Sequence, residues 1–474
     1  MDTVRADRVS GYGDVDTMPA LAKIASEGAL FERFYAASTY TIPSHMSIMT
    51  GLDPAEHGVL LEGARLSPSV PTLAELLSLS GYRTRAFTEG VYIGGRWGFD
   101  RGFEEYGELP RASVVGDRLP GILDWIRNAS DEPYFLFLHS YAAHYPYGGY
   151  RRYRASAPER GLPTDAELQA LYARARDGGF EALTKEEQDL CLLFNHFVAK
   201  HEDMFPVDDN RMPADFSVSR HFEQDRAALV ASYDARLGSI DNAIAQIQAT
   251  LVELGQWDDT LLVVLSDHGE AFFEHGAGRH DYLPFDEVLK VPLIVSYPRL
   301  FQETGPQRLE GLAWHLDILP SILGFAGLEL PDEYAGIDLS ADLRAGRPLG
   351  ERSLHPVVAR APNRKPARPL RRIVIDGAHK FIQGHESFGA ADDLLFDLRS
   401  DPRETANLRG ERVPQLERLA EQARRYTEGL RRRTPVHQET GKPLGEGGEG
   451  VDLSLEQIEE LRAFGYLGTD EDDD

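Results

Sequence analysis

The chain has 474 residues, with 50 Lys and Arg against 77 Asp and Glu, and its formal charge of −27 argues against nucleic acid or an anionic membrane as partner. That length suffices for one large unit plus a smaller one, and no apolar run approaches the roughly 20 residues of a membrane span, as expected of a soluble globular chain. Cys191 is the only cysteine, which excludes an intrachain disulfide and a Cys-rich metal site.

In chain order, Asp2-Thr3-Val4-Arg5-Ala6-Asp7-Arg8 comes first. Thr17 to Gly28 reads as a helix, with Thr17 as cap, Leu21, Ile24 and Ala25 on one face, and Gly28 as stop. Thr41-Ile42-Pro43-Ser44-His45, followed by Met46 to Gly51, places a hydroxyl ahead of a proline turn that opens a short helix. The unpaired N–H groups and positive dipole of a helix start suit an attacking oxygen or a bound sulfate or phosphate. An ordinary helix cap carries the same signature.

Val70 to Ser80 is a second helix, ended by Gly81, and Tyr134-Phe135-Leu136-Phe137-Leu138 is a buried strand by its continuous apolar run. Residues 150–230 are polar and charged, and read as a helical insertion beside the active site. Ile240, Ala243, Ile244, Ile247, Leu251 and Leu254 recur at helical spacing, with Gly255 closing. The apolar strand Leu261 to Leu265 then runs into Ser266-Asp267-His268. Ligand sites in open α/β sheets lie just past the carboxyl ends of strands, and Asp-His there is a metal corner or an incidental pair on a solvated loop. Val291 to Val295 is another strand and Asp317 to Ala326 a helix. This alternation predicts an α/β fold, a mostly parallel sheet flanked by helices.

Beyond about residue 345 the character shifts toward a smaller C-terminal α/β subdomain, spanning 346–474 after a catalytic domain of 1–345. Ala361 to Arg372 reads as a loop between subdomains, and Ile373-Val374-Ile375, Gly377 and Lys380-Phe381-Ile382 as a hairpin. Leu416, Leu419, Ala423 and Leu430 form one face of a long helix, and Thr469 to Asp474 is an acidic tail.

Further stretches join these in a recognisable order: Gly51-Leu52-Asp53-Pro54-Ala55-Glu56-His57-Gly58, Gly98-Phe99-Asp100-Arg101-Gly102-Phe103, Leu138-His139 through His144-Tyr145-Pro146-Tyr147, and Gly276 through His280. Leu395-Phe396-Asp397-Leu398, Asp401-Pro402-Arg403-Glu404, Asn407-Leu408 and Leu461-Arg462-Ala463-Phe464-Gly465-Tyr466 follow. Together they resemble the sulfatase family of the alkaline phosphatase superfamily, along most of the chain. The resemblance implies a metal-dependent ester hydrolase acting on an anionic small-molecule or glycan ester. A sulfatase-fold binding protein without activity is the competing class. In relatives an apolar strand precedes the residue matching Asp2, whereas here only Met1 stands before it. Either the recorded start is too late, which is the expectation, with any export signal lost along with it, or the protein lost a central strand. Compartment and oligomeric state stay open.

By the same resemblance Asp2, Asp267 and His268 are metal ligands, with Thr41 bridging metal and substrate. Sulfatases usually add a second acidic residue and an Asn to this set, an all-oxygen shell suited to calcium. Those positions hold Thr3 and His268, and an imidazole shifts the preference toward manganese or zinc, with magnesium and calcium still open. Thr41 is the largest departure, because sulfatases carry there a Cys or Ser that is converted to formylglycine. Superfamily members with an unmodified Thr act on phosphoryl groups. A sulfo-threonine also lacks the second hydroxyl whose loss expels sulfate, so phosphate or phosphonate esters are favoured over sulfate esters. His144 is the candidate acid for the leaving oxygen, and His280 a contact to the anionic oxygens. His45, Arg96 and His275 are candidate substrate-binding residues, His57 supports packing, and Arg5 either braces the Asp2 loop or makes a surface ion pair. Ser44 fits a helix cap better than a nucleophile.

Overall fold

The computed structural model describes residues 1–60, 64–109, 115–129, 132–179, 182–188, 190–191, 222–276, 278–280, 283–330, 334–358, 370–384, 392–431 and 436–437. Among these, the chain forms two compact units. The first comprises Met1–Ala142, Ser239–Gly269 and the residues from His280 onward, including the C-terminal sheet; the second comprises Ala143–Gly238 and Glu270–Arg279. The expected acidic tail and the Leu461 to Tyr466 stretch lie outside the described residues, as does most of the Ala361 to Arg372 loop.

Two of the first unit's sheets carry its parallel pairs. One runs in the order Gln307–Trp314 (β7), Ala29–Tyr35 (β1), Leu293–Ser296 (β6), Leu262–Leu265 (β5). The other runs Glu105–Leu109 (β3), Arg83–Glu89 (β2), Tyr134–Leu138 (β4). β1 pairs in parallel with β7, and β2 with both β3 and β4, but β6 is antiparallel to β1 and β5. The expected sheet is therefore mostly parallel, with one reversed strand. The apolar run of β4 was expected to be fully buried; all five of its residues are only half-buried, as are three of the four in β5.

Helices cover these sheets through apolar faces that the sequence spacing sets. Helix α1 (Pro19–Glu27) buries Leu21, Ile24 and Ala25 as expected. Thr17 does not cap it. Its hydroxyl donates to the Arg8 carbonyl, and the N-cap is Met18. The Asp241 carboxylate instead accepts from the backbone N–H groups of Ala20 (3.0 Å) and Leu21 (2.8 Å), doing from a distant helix what a local cap would do.

Helix α2 (Thr41–Thr50) buries all ten of its residues and ends at Gly51, whose φ is +66°. A Cβ there would come within 2.8 Å of the Tyr334 ring, so that position requires glycine for space as well as conformation. Helix α3 (Leu73–Leu79) starts later than expected because Thr72 and Glu75 form a capping box. Its Leu73 and Leu77 pack with Leu319 and Leu323 of α6 (Ile318–Ala326). Ile122 and Ile126 of α4 (Leu119–Asn128) pack with Phe87 and with Leu251 of α5 (Phe222–Glu253). Each such side chain contributes about 1.5–3 kcal/mol on burial.

The C-terminal sheet is built on Arg371–Asp376 (β8), His379–Ile382 (β9) and Leu394–Asp397 (β10), all antiparallel, and β8 and β9 form the expected hairpin. Val374, Phe381 and Leu395 pack against Leu419 and Ala423 of α7 (Val413–Gly429). Leu430 falls just past α7 with extended backbone, so it is not on the helical face. Arg372 joins this sheet to the segment after α2: its Nη1 lies 2.7 Å from Asp53 Oδ2 and donates to the His355 carbonyl, also at 2.7 Å.

In the second unit, helices Tyr150–Ser156 and Asp165–Gly178 and the first turns of α5 account for the described part of the polar insertion. An aromatic cluster of Tyr147, Tyr233 and Phe272, with ring centroids 5.0–5.7 Å apart, anchors it. No described helix is long and apolar enough to cross a membrane.

Candidate active site

The site forms where β5 and the start of the chain end together. Ser266 sets this corner: its hydroxyl oxygen accepts from Val4 N–H (2.8 Å) and lies 3.0 Å from the Met1 carbonyl. Beneath it, the His315 Nδ1 accepts from Ala37 N–H, so the ring proton sits on Nε2 and is donated to the Ser266 carbonyl at 2.9 Å. Thr3, next to Asp2, holds φ at +55°, a costly conformation for a β-branched residue. It brings the Thr3 N–H to Asp267 Oδ1 at 3.2 Å.

Asp2, Asp267 and His268 are fully buried, and one ligand-capable atom from each lies within 4.8 Å of the others. Thr41, first residue of α2, points its Oγ1 into this group, 3.4 Å from Asp2 Oδ2 and 3.2 Å from His268 Nε2. His45, one helical turn on, has its Nδ1 3.1 Å from the Thr41 carbonyl and 3.3 Å from Asp267 Oδ2. The His280 ring lies against His268, with centroids 4.3 Å apart. These six predicted residues come together in the first unit.

The electrostatics suit a cation. His268 Nδ1 lies 3.0 Å from the Gly269 carbonyl, which can only accept, so Nδ1 carries the proton and Nε2 presents a lone pair. Burial pushes the His268 pKa down to about 4 despite the nearby Asp267 carboxylate, keeping the ring neutral at pH 7. Burial also raises the Asp267 carboxyl, but the imidazoles around it outweigh this and hold its pKa well below the ordinary value. An ionised oxygen and a lone-pair nitrogen thus face each other at 3.3 Å. Two buried carboxylates and this nitrogen form a donor set that fits a divalent cation.

Arg96 places its guanidinium 5.3 Å over the Trp97 ring. His144 and His275 belong to the second unit, where His144 Nδ1 lies 2.5 Å from the Tyr145 carbonyl. Arg5 pairs with Asp7 through two bonds of 2.8 and 2.9 Å, the ion pair of the two readings. Ser44 is not a cap: it lies inside α2, whose N-cap is Tyr40, and its hydroxyl donates to the Ser38 carbonyl. His57 is a buried packing residue whose Nδ1 accepts from Val59 N–H.

His139 was not read as a site residue. It is fully buried, 3.5 Å from Asp2 Oδ2 through Nε2, with its ring 4.8 Å from that of His45. Its signal was an imidazole directly after an apolar strand, the pattern that drew attention to Asp267-His268.

A family model described as Sulfatase matches residues 1–328. N-acetylglucosamine-6-O-sulfatase of Bacteroides thetaiotaomicron is 23% identical over 69% of this chain and 66% of its own length. The multifunctional alkaline phosphatase superfamily protein PehA of Trinickia caryophylli is 27% identical over 61% of this chain and 54% of its own. The chain thus spans only about half to two thirds of the length of these two relatives. The crystal structure of a phosphonate monoester hydrolase of Agrobacterium radiobacter superposes with a TM-score of 0.67 at 19% identity, covering 90% of this chain and 94% of that one. That likeness concerns the fold.

Proposed function

The chain belongs to the sulfatase family, and we propose that it hydrolyses phosphate or phosphonate esters in preference to sulfate esters, with Thr41 Oγ1 as the attacking atom. The observation that carries this reading is the position of Thr41. Its hydroxyl stands at the start of a fully buried helix, 3.4 Å from Asp2 Oδ2 and 3.2 Å from His268 Nε2. A divalent cation held by Asp2, Asp267 and His268 would polarise the ester oxygen and lower the pKa of the hydroxyl beside it.

The chain's own groups supply the rest. The Thr41 proton has Asp2 Oδ2, 3.4 Å away, as its acceptor, since the His268 Nε2 lone pair would be taken by the cation. The helix start directs its N–H groups and dipole toward the developing charge on the transferred group. His45 holds the Thr41 carbonyl and Asp267 together, fixing the first turn against the metal ligands. His280, whose ring lies against His268, is the candidate for contacting the anionic oxygens. The unmodified threonine favours the phosphoryl reading, because a phospho-threonine can be resolved by water. The N-acetylglucosamine-6-O-sulfatase relative keeps sulfate esters as the second reading.

The test compares Thr41→Ala and Thr41→Ser on aryl phosphate, phosphodiester, phosphonate and sulfate esters. Thr41→Ala is expected to lose about 10³-fold or more in kcat/KM, while Thr41→Ser keeps measurable turnover. A phosphodiester quench should leave a covalent adduct on the Thr41 peptide by mass. Sulfate-ester turnover far above every phosphoryl activity would overturn the preference. Wild-type turnover by Thr41→Ala would overturn the nucleophile.

A further inference from the structure

Asp2 and Asp267 are each shared by two partners. Asp2 Oδ2 stands between Thr41 Oγ1, at 3.4 Å, and His139 Nε2, at 3.5 Å. Asp267 Oδ2 stands between His268 Nε2 and His45 Nδ1, each at 3.3 Å. The His45 and His139 rings meet edge to face, with centroids 4.8 Å apart, and so link the two carboxylates on one side. His139 does not join the three residues whose ligand-capable atoms all lie within 4.8 Å of one another. It is a neighbour of the ligand Asp2 and not a ligand itself.

The backbone holds His139 from both sides. Its N–H donates to the Phe87 carbonyl at 3.0 Å, prolonging the pairing of β2 with β4. The next carbonyl, of Ser140, accepts from Asp2 N–H at 3.0 Å, and Tyr141 N–H donates to the buried Glu89 carboxylate at 2.6 Å. The Tyr141 ring stands edge-on to His139, with centroids 4.8 Å apart, and a Cβ on Gly90 would come within 2.2 Å of it. The His139 ring is fully buried, yet neither of its nitrogens completes a hydrogen bond among the described residues. Idle polar atoms in the interior are costly and call for an explanation. A carboxylate oxygen only accepts, so the Nε2 that faces Asp2 holds the ring proton.

We propose that His139 is a positioning residue for the cation site. Its Nε2–H fixes the Asp2 carboxylate, presenting it to the cation and keeping Oδ2 turned toward the Thr41 hydroxyl. The 3.5 Å approach closes to a charge-assisted hydrogen bond with a movement of about 0.7 Å. Partners behind a ligand set metal affinity by orienting it. His45 stands to Asp267 as His139 stands to Asp2, so loss of one leaves the other carboxylate supported. The inference rests on the cation reading of Asp2, Asp267 and His268, and not on the choice between phosphate and sulfate esters.

Metal-free protein titrated with Mn²⁺ or Zn²⁺ against a chromogenic chelator gives the cation Kd without any turnover. His139→Phe keeps a flat ring beside His45 and Tyr141 but has no donor, and its Kd should rise about 10–100-fold. In His139→Gln the amide N–H reaches the place of Nε2, and the Kd should return to near the wild-type value. The shorter amide of His139→Asn matches Nδ1 instead, so this variant should bind as weakly as His139→Phe, and it serves if the latter does not fold. A merely structural role would lower Tm in these variants and leave the Kd where it is. Wild-type Kd values in both His139→Phe and His139→Asn overturn the proposal, as does a Kd raised equally in His139→Gln and His139→Asn. A wild-type chain that binds neither ion overturns the cation reading and this inference together, whereas tight binding by wild type and variants alike overturns this inference alone.

Discussion

Asp53 and Arg372 are brought together across 319 residues of chain, and their pairing should dominate how the C-terminal sheet is held. The side chain of Asp53 is fully buried and that of Arg372 is 4% exposed. Arg372 reaches both carboxylate oxygens, at 2.7 and 3.3 Å, and Tyr426 Oη lies 3.3 Å from Oδ2. Asp53 also caps the short helix Pro54–His57 through Ala55 N–H at 2.8 Å. Asp53→Asn keeps the cap, since Asn serves as well as Asp there, and keeps one acceptor for Arg372. It removes the countercharge of a buried guanidinium, so the expected loss is about 3 kcal/mol, the lower end for a broken buried pair. Asp53→Ala adds the cap, for about 4 kcal/mol in all. Pairing Asp53→Asn with Arg372→Met removes both charges, and the double variant should be more stable than the sum of the singles by about 2 kcal/mol. Equilibrium urea unfolding followed by tryptophan fluorescence, with the m-value checked for constancy, measures all four corners of the cycle. Additivity within about 0.5 kcal/mol would refute the claim that this pair acts as a unit.

Asp267→Ala should leave the circular dichroism spectrum in place while abolishing stoichiometric divalent metal measured by mass spectrometry, and metal retained in that variant would remove Asp267 from the ligand set. Burial lowers the pKa values of His57 and His315 to about 3, below the unfolded value, so the unfolded chain binds more protons in between. Stability should therefore be full above about pH 6.5 and fall as the pH drops, by about 2 kcal/mol per histidine at pH 5. A His57→Asn variant should show a shallower decline in urea midpoint, and an unchanged slope would argue against His57 as a contributor. Lys380, fully buried, lies 2.8 Å from both Asp286 Oδ1 and Glu404 Oε1. Lys380→Met should cost about 3–5 kcal/mol by leaving these carboxylates facing each other, with partial recovery on adding Glu404→Gln, and no recovery would show that lost packing is the cause.

Much of the site was legible because its residues follow apolar strands or open a helix, positions where backbone geometry delivers side chains to one edge. Asp267 and His268 follow β5, and Thr41 begins α2; each could be read locally. His139 obeys the same rule after β4, yet its lone imidazole gains an acidic neighbour only when the fold brings Asp2 to 3.5 Å from its Nε2. Capping was misread for a different reason. Thr17 and Ser44 are both good capping residues by type, but the amides of α1 are satisfied by Asp241, and Ser44 is turned back to Ser38. A partner distant in sequence overrode the local preference. The reversed direction of β6 was likewise hidden, since a short apolar run carries no mark of which way it will pair.

The spacing of the site along the chain has a consequence for its synthesis. Thr41 and His268 are 227 residues apart, and Thr3 and Asp267 are 264 apart. At 5–20 residues per second, the ribosome needs roughly 10–50 s between emitting the hydroxyl and emitting the imidazole. Throughout that interval Asp2 and Thr41 lie on a nascent polypeptide that has no Asp267 or His268 to complete the donor set. On the proposed reading, cation loading is thus confined to the later part of translation or to the released protein, and fragments arrested before residue 268 carry the Thr41 hydroxyl without two of its proposed metal ligands.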